Sequence, residues 1–304
     1  MRLAVPDLVS PSYFPAIAAV ELGLVRDEGL DVELDLLYPV TDAAEALRTG
    51  EIDFLAGAAH APMHAFPQWR GAKLVTALSQ NMYWFLVMRA DLAIGRGDLA
   101  ALRGVRIGAA PGPDLGLRLL LADAGVDVAE CGIEIGPVPA TEGAGTSFGL
   151  AAAQALGAGL VDGFWANGMG AELAVRRGTG TLVLDARRGD GPAAAASYTF
   201  PALSVADRTI EHRPDAVAAV ARAIGRAQRI LRDDPDRATE VGERLFPAQE
   251  ASMIAELVRR DAPYYDPRIG DGAVRGLVEF GRRSGLLDGP VGRDAVVADA
   301  FRDL

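Results

Sequence analysis

The sequence has one lysine and one cysteine in 304 residues. A covalent Schiff-base mechanism would have to use Lys73 and nothing else; the shortage of lysine beside so much arginine reads as a compositional preference for Arg and Ala. Cys131 standing alone excludes an internal disulfide and the paired-thiol spacings of zinc and redox sites. Histidine is nearly as scarce, at three residues. No run approaches the roughly 18 to 20 apolar residues that a membrane span needs, so none is expected. Basic residues number 30 against 41 acidic ones, a net charge of −11. Such a field repels phosphate backbones and anionic headgroups, and nucleic acid is excluded as a partner. The start of the chain has no basic region leading into an apolar stretch and a small-residue cleavage site; Met1 to Val5 already reads as a strand. The location stays open on this ground: periplasmic or otherwise extracytoplasmic if a signal was removed, cytoplasmic if the sequence is the native full length.

Hydrophobic residues make up 50% of the chain, enough for two core-bearing units without staples. Short apolar runs alternate with amphipathic ones. Strands are predicted near Leu3–Leu8, Val32–Leu37, Asp53–Gly57 and Lys73–Leu78, with helices near Phe14–Leu24, Asp42–Arg48 and Ala61–Trp69 between them. This alternation implies parallel strands sandwiched by helices. Gly23, Gly29 and Gly50 follow the periodic stretches as helix-ending residues. A second alternating set follows: strands near Val105–Ala109, Ile133–Val138, Leu160–Phe164 and Thr181–Leu184, helices near Pro113–Asp123, Phe148–Leu156 and Met169–Arg176. Two apolar, aromatic runs, Tyr83 to Met88 and Tyr198 to Val205, have the length of buried strands and read as a double crossing between two lobes. Beyond Arg208 only helices are predicted: Pro214–Leu231, Pro235–Arg244, Ala248–Arg260, Ala273–Arg283 and Arg293–Phe301. Such a tail cannot bury its apolar stripes alone and is expected to pack on the first lobe. The expected boundaries are 1–86 with 202–304 for that lobe, and 87–201 for the second.

Several stretches then become recognisable together. Ser12-Tyr13-Phe14-Pro15-Ala16, Glu21-Leu22-Gly23-Leu24, Glu28-Gly29-Leu30-Asp31-Val32 and Ala46-Leu47-Arg48-Thr49-Gly50-Glu51-Ile52-Asp53-Phe54 resemble the opening of the nitrate, sulfonate, taurine and thiamine-pyrimidine solute-binding family. So do Asp98-Leu99 with Leu102 to Gly108, then Val161-Asp162-Gly163-Phe164, then Arg213-Pro214-Asp215. The blocks keep their order over almost the whole chain. The resemblance implies a two-lobed α/β protein of the periplasmic-binding-protein type II fold, each lobe a mixed sheet flanked by helices, with ligand held between the lobes and buried by hinge closure. It implies the substrate-binding component of an ABC importer, working as a monomer with a permease if exported. Enzymes share this fold, among them desulfinases, decarboxylases and a thiamine-pyrimidine synthase, so fold alone does not assign function.

Ligands of open parallel sheets lie beyond the carboxyl ends of the strands, which selects the loops there. Ser10, Ser12 and Tyr13 offer two hydroxyls and an aromatic face after the first strand; the alternative is that either serine caps the next helix. Ala59 and His60 follow the third strand, a small residue that allows close approach and an imidazole that can hydrogen-bond or carry a proton. His64, one turn on, would make a zinc pair only with a third ligand, which is not evident, and no metal or cofactor is expected. Asn81, Tyr83 and Trp84 bring an amide and flat apolar surface for a ring, or else pack the hinge. Gly112, Pro113 and Asp114 open a helix whose amides favour an anion unless Asp114 satisfies them itself. Asp162, Trp165 and Asn167 combine carboxylate, indole and amide, and Tyr198 and Thr199 complete the set from the return crossing. Thr141 to Ser147 has neither the lysine nor the glycine spacing of a nucleotide loop and reads as a cleft-side loop.

The leading expectation is a non-catalytic protein that binds a small ring-containing solute. The alternative is a cytoplasmic enzyme in which His60 moves a proton with Arg48 or Asp162 nearby. The desulfinase branch uses a cysteine on the first loop, where this chain has Ser10 and Ser12, and one cysteine cannot supply the cysteine-rich motif of the synthase branch. A sensor domain would need a DNA-binding or signalling extension.

Overall fold

The first residues with any real hydrophobic content, Leu3-Ala4-Val5, form an interior strand of a sheet from the outset. In a computed structural model that describes residues 1–139, 147–302 and 304, β1 (Arg2–Val5) is followed by α1 (Phe14–Glu21), α2 (Leu24–Asp27), β2 (Glu33–Leu36), α3 (Val40–Thr49), β3 (Phe54–Ala58), α4 (Pro62–Ala65) and β4 (Ala72–Ala77). The next stretch carries β5 (Phe85–Arg89), β6 (Arg106–Ala109), α5 (Pro113–Asp123), β7 (Glu134–Gly136), α6 (Phe148–Gly157), β8 (Gly163–Ala166), α7 (Gly168–Arg176) and β9 (Gly180–Asp185). The chain then returns through β10 (Pro201–Ala206) and ends in helices α8 (Asp207–His212), α9 (Pro214–Asp233), α10 (Arg237–Leu245), α11 (Ala248–Asp261), α12 (Asp271–Arg283) and α13 (Arg293–Val296). The chain divides into two compact units, Met1–Asn81 with Thr199–Leu304, and Met82–Tyr198. No helix among the described residues is long and apolar enough to cross a membrane.

The first unit's sheet runs β2-β1-β3-β10-β4. β1 pairs in parallel with β2 and β3, while β10 enters antiparallel between β3 and β4. Both faces are covered. Leu55 and Ala4 join Ala43, Leu47 and Phe66 on one side, and Leu74, Ala77 and Phe200 pack with Val274 and Leu277 of α12 on the other. The tail is therefore part of the core: α12 alone inserts three fully or nearly fully buried apolar side chains, Val274, Leu277 and Phe280. At about 25 cal/mol per Å² of apolar surface removed from water, each contributes on the order of 2 kcal/mol.

The second unit's sheet runs β7-β6-β8-β5-β9, with β5 antiparallel to both neighbours. Side chains alternate across a strand. Phe164 and Ala166 face the alanine-rich pair α6 and α7, whose Ala152, Ala155, Ala171 and Ala174 allow close approach. Trp165 faces the other way and lies 6.0 Å from Trp84, ring centroid to centroid. Gly116 of α5 makes room for that layer, because a Cβ there would stand 3.3 Å from the Trp84 ring.

Three sequence expectations shift. The helix expected over Ala61–Trp69 is only one turn, Pro62–Ala65: Pro67 removes an amide, and Gln68 and Trp69 have φ of 54° and 60°, which no helix accommodates. The helix expected to reach Phe301 stops at Val296, and Val297 instead forms a parallel bridge to Leu74. The strand expected over Leu160–Phe164 begins at Gly163, because Gly159 at φ 69° is still closing the turn after α6. The loop read at Thr141 to Ser147 falls, over 141–146, outside the described residues.

Candidate functional site

At the carboxyl edge of the first unit's sheet lie the ends of β1, β2, β3 and β4, joined by the amino end of the antiparallel β10. The loop after β1 is buried along most of its length. It is clamped from behind by the tail. The Ser12 hydroxyl donates to Asp261 Oδ2 at 3.1 Å, and the Tyr265 hydroxyl donates to the Pro11 carbonyl at 2.6 Å, both out of contact with water. Ser12 is thus engaged in holding the loop, and Tyr13 sits in the N-cap position of α1 without a side-chain cap. Ser10 differs. Its Oγ is fully buried and has no hydrogen-bond partner among the described residues, a state that costs a desolvated hydroxyl about 1–3 kcal/mol.

Ala59 and His60 follow β3 at the same edge, and the Ala59 amide donates to the Phe200 carbonyl at 2.8 Å. The His60 Nδ1 lies 3.0 Å from Thr199 Oγ1. Its ring is packed edge-on against Phe280, 5.3 Å between centroids, and against His64 at 5.8 Å. Histidine and threonine thus meet across the ends of the neighbouring strands β3 and β10. Asn81 ends this unit, with φ 63°. Arg48 is not among these residues: it lies at the carboxyl end of α3, beside the start of β3 and so at the sheet's other edge, where it pairs with Glu45 on the surface. It cannot assist His60.

Two residues of this edge escaped sequence reasoning. Asp7, only 5% exposed, follows β1, and its Oδ1 accepts the Val9 amide at 3.0 Å. Tyr38 follows β2 and is 46% exposed. Partial desolvation, with the Asp7 charge added, pushes the Tyr38 phenol up to about 12 from the usual 10. The unfolded chain then releases this proton first, so the residue's contribution to stability is lost as pH climbs from 10 toward 12. We expect the ultraviolet titration difference between the parent and a Tyr38→Phe variant to have a midpoint near 12, and Asp7→Asn to lower it only in part, since burial is the larger cause. A midpoint at 10 in the parent would contradict this placement. The rule that selects loops after strands covers both residues, but neither carries a motif.

The carboxyl edge of the second unit gathers the ends of β6, β7, β8 and β9 and the amino end of β5. Gly112, at φ 93°, and Pro113 open α5, and Asp114 Oδ1 accepts the Gly112 amide at 3.0 Å. That bond ties the acid to the residue just before the helix, not to the amides of its first turn. Tyr83 and Trp84 stack at 4.7 Å just before β5. Trp165, near the end of β8, is fully buried, and its Nε1–H has no hydrogen-bond partner among the described residues. Asn167 caps α7, its Oδ1 accepting the amides of Met169 at 3.1 Å and Gly170 at 3.5 Å. Arg187, missed from sequence, follows β9 nearly buried, its guanidinium carbon 5.9 Å from the Tyr83 ring centre.

Two candidates of this unit stand apart from that group. Asp162 precedes β8 instead of following it. Its Oδ2 accepts the Arg106 amide at 2.9 Å and its Oδ1 pairs with Arg89 at 3.3 Å, at the opposite edge of the sheet from Trp165. The Tyr198 hydroxyl donates to Asp123, at the far end of α5 from Gly112. Among the described residues no cluster of three or more His, Cys, Asp or Glu is arranged to hold a metal ion.

A family model described as NMT1/THI5 like matches residues 10–238, most of the chain and most of both edges. The chain belongs to the NMT1/THI5-like family. No curated protein matches the sequence. This NMT1/THI5-like chain is similar in structure to a protein from Bordetella bronchiseptica RB50, with 18% identity, a TM-score of 0.76, and coverage of 99% of this chain and 95% of the other. It is also similar to the alkanesulfonate-binding protein of Xanthomonas axonopodis pv. citri bound to MOPS, at 16% identity, TM-score 0.68 and coverage of 99% and 96%. The periplasmic nitrate-binding protein of Synechocystis PCC 6803 aligns at 14% identity, TM-score 0.71 and coverage of 99% and 86%. Likenesses this distant in sequence establish the fold, which is the periplasmic-binding-protein type II fold in this NMT1/THI5-like chain as well.

Proposed function

We propose that this protein is a solute-binding protein that captures a small, ring-containing organic molecule and serves, as a monomer, an ABC importer. The observation that carries this reading is that each unit has, at the carboxyl edge of its own sheet, a fully buried polar group with no hydrogen-bond partner among the described residues: Ser10 Oγ after β1 in one, Trp165 Nε1–H near the end of β8 in the other. Buried polar groups are almost always satisfied by protein or water, and a ligand's polar group at either edge would satisfy the one there. The aromatic layer of Tyr83, Trp84 and Trp165 supports a flat partner, because rings stack best on rings in an offset or tilted arrangement. Membership of the family and the binding roles of the nitrate and alkanesulfonate proteins agree with capture as the task.

Calorimetric titration and thermal-shift measurements against thiamine precursors, aromatic carboxylates, sulfonates and nitrate test this reading. At least one ring-bearing compound is expected to raise the melting temperature and bind with one-to-one stoichiometry. At a hundredfold excess over its Kd such a ligand adds about 2.7 kcal/mol to stability. Silence across the whole set would remove the proposal.

A further inference from the structure

We propose that Gln228, on α9, is a specificity-determining residue of the first unit, whose side-chain oxygen accepts a hydrogen bond from an N–H or O–H group of the solute. The inference rests on the solute-binding reading and names what the first unit demands of its ligand, a hydrogen-bond donor.

Gln228 is completely buried, and its Nε2 donates to two carbonyls at once, those of Ala77 and Leu78, each at 2.9 Å. Ala77 is the last residue of β4, so these bonds hold the side chain at the carboxyl edge of the sheet, where ligands of this topology lie. The same two bonds fix which way the amide faces. Turned over, it would set its oxygen against two carbonyl oxygens, acceptor against acceptors. Oε1 is therefore committed to the other direction, where it is buried and has no hydrogen-bond partner among the described residues. An amide oxygen can only accept. A buried polar group left in that state calls for an occupant that donates.

The loop that carries Ser10 is tied to the same part of α9. The Tyr265 hydroxyl donates to the Pro11 carbonyl, and the Tyr265 carbonyl accepts from Arg232 Nη1 at 2.8 Å, one turn further along α9 from Gln228. One tyrosine thus links the two segments that hold Ser10 Oγ and Gln228 Oε1. A hydroxyl can turn to donate or to accept, so Ser10 does not choose between ligands; the amide oxygen does. Sulfonate, carboxylate and nitrate groups carry acceptors only at neutral pH and would meet Oε1 oxygen against oxygen. A ring N–H, an amide or a hydroxyl would satisfy it.

The test uses the full chain and two matched pairs of probes, indole against benzothiophene and benzamide against methyl benzoate. Each pair keeps size and shape and differs in the N–H. Calorimetry is expected to find the donor-bearing member of each pair bound about fivefold more tightly. Gln228→Met keeps the length of the side chain and gives up its amide. Gln228→Lys keeps donors for the Ala77 and Leu78 carbonyls but lacks the oxygen, and serves if the first variant misfolds by circular dichroism. Either variant should erase the preference. Equal binding of a pair by the parent, tighter binding of the donor-free member, or a preference that survives both substitutions would overturn the role of Gln228 and leave solute binding standing. If only a compound of the wider ligand set binds, it decides in the same way: a donor-bearing solute weakened by the variants supports the role, and a donor-free or unaffected one overturns it. Silence of the four probes and of the wider set together would overturn both.

Discussion

Replacing Gly170 with alanine is expected to lower the stability of the protein by about 3 kcal/mol, near the upper end of ordinary overpacking. A Cβ at this position would lie 2.3 Å from the Gly149 carbonyl oxygen, 2.6 Å from its carbonyl carbon and 2.8 Å from its Cα. All three are backbone atoms, so no side chain can swing aside, and α6 and α7 would have to part. They share the cluster that covers one face of the second sheet, where Ala152, Ala155 and Leu156 meet Ala171 and Ala174. Two further glycines grade the effect. At Gly149 the nearest obstacle is the Asn167 side chain at 2.9 Å, which can shift at the expense of its cap, so a smaller loss is expected. At Gly157 the added methyl meets only Thr179 at 3.8 Å, and alanine in a helix should be neutral or gain up to about 1 kcal/mol. Urea melts of the three variants check the order. A Gly170→Ala protein as stable as the parent would mean that the two helices do not cross as described.

Alanine at Ser12 and at Ser10 should give results of opposite sign, although the two substitutions remove the same atom from the same loop. Ser12→Ala takes away the hydrogen bond to the buried Asp261 carboxylate, and bonds to charged groups are worth about 1.5–3 kcal/mol. Ser10→Ala removes a buried hydroxyl that has no partner among the described residues, so stability is expected to hold or rise by about 1 kcal/mol. If the hydroxyl serves the solute, the same variant should bind any ligand found by titration more weakly. Denaturant midpoints for both variants, with ligand affinity for Ser10→Ala, make the comparison. A Ser10→Ala loss as large as that of Ser12→Ala would mean that the hydroxyl supports the fold and not a ligand.

Much of the architecture is legible in the sequence because the signals are local. Leu3-Ala4-Val5, Phe54 to Ala58 and Leu74 to Ala77 are apolar runs of strand length, and the helices between them keep a 3.6-residue period. The long-range pairings are not legible. His60 meets Thr199 across 139 positions and Ser12 meets Asp261 across 249, and no pattern within either segment names its partner. Local chemistry also misleads where a turn consumes residues: Gly159 in the left-handed region delays β8 by enough to carry Asp162 to the wrong end of the strand. Asp7, Tyr38 and Arg187 were overlooked for a different reason. They match no motif, and an isolated acid, phenol or guanidinium after a strand is most often a surface group; only their burial and neighbours single them out.

The insertion of β10 between β3 and β4 fixes the order in which this polypeptide can mature. Among the described residues, β4 pairs along its length only with β10, and β3 has β10 on one flank. A nascent chain that has reached residue 81 therefore carries β4 without a ladder partner and β3 open on one flank, and unpaired edges invite association with other chains. Residues 82–198, by contrast, hold every strand of their own sheet in one uninterrupted stretch. The unit that begins first on the ribosome is thus the one that finishes last, and its early strands must wait, exposed or chaperoned, until the entire second unit has been synthesised.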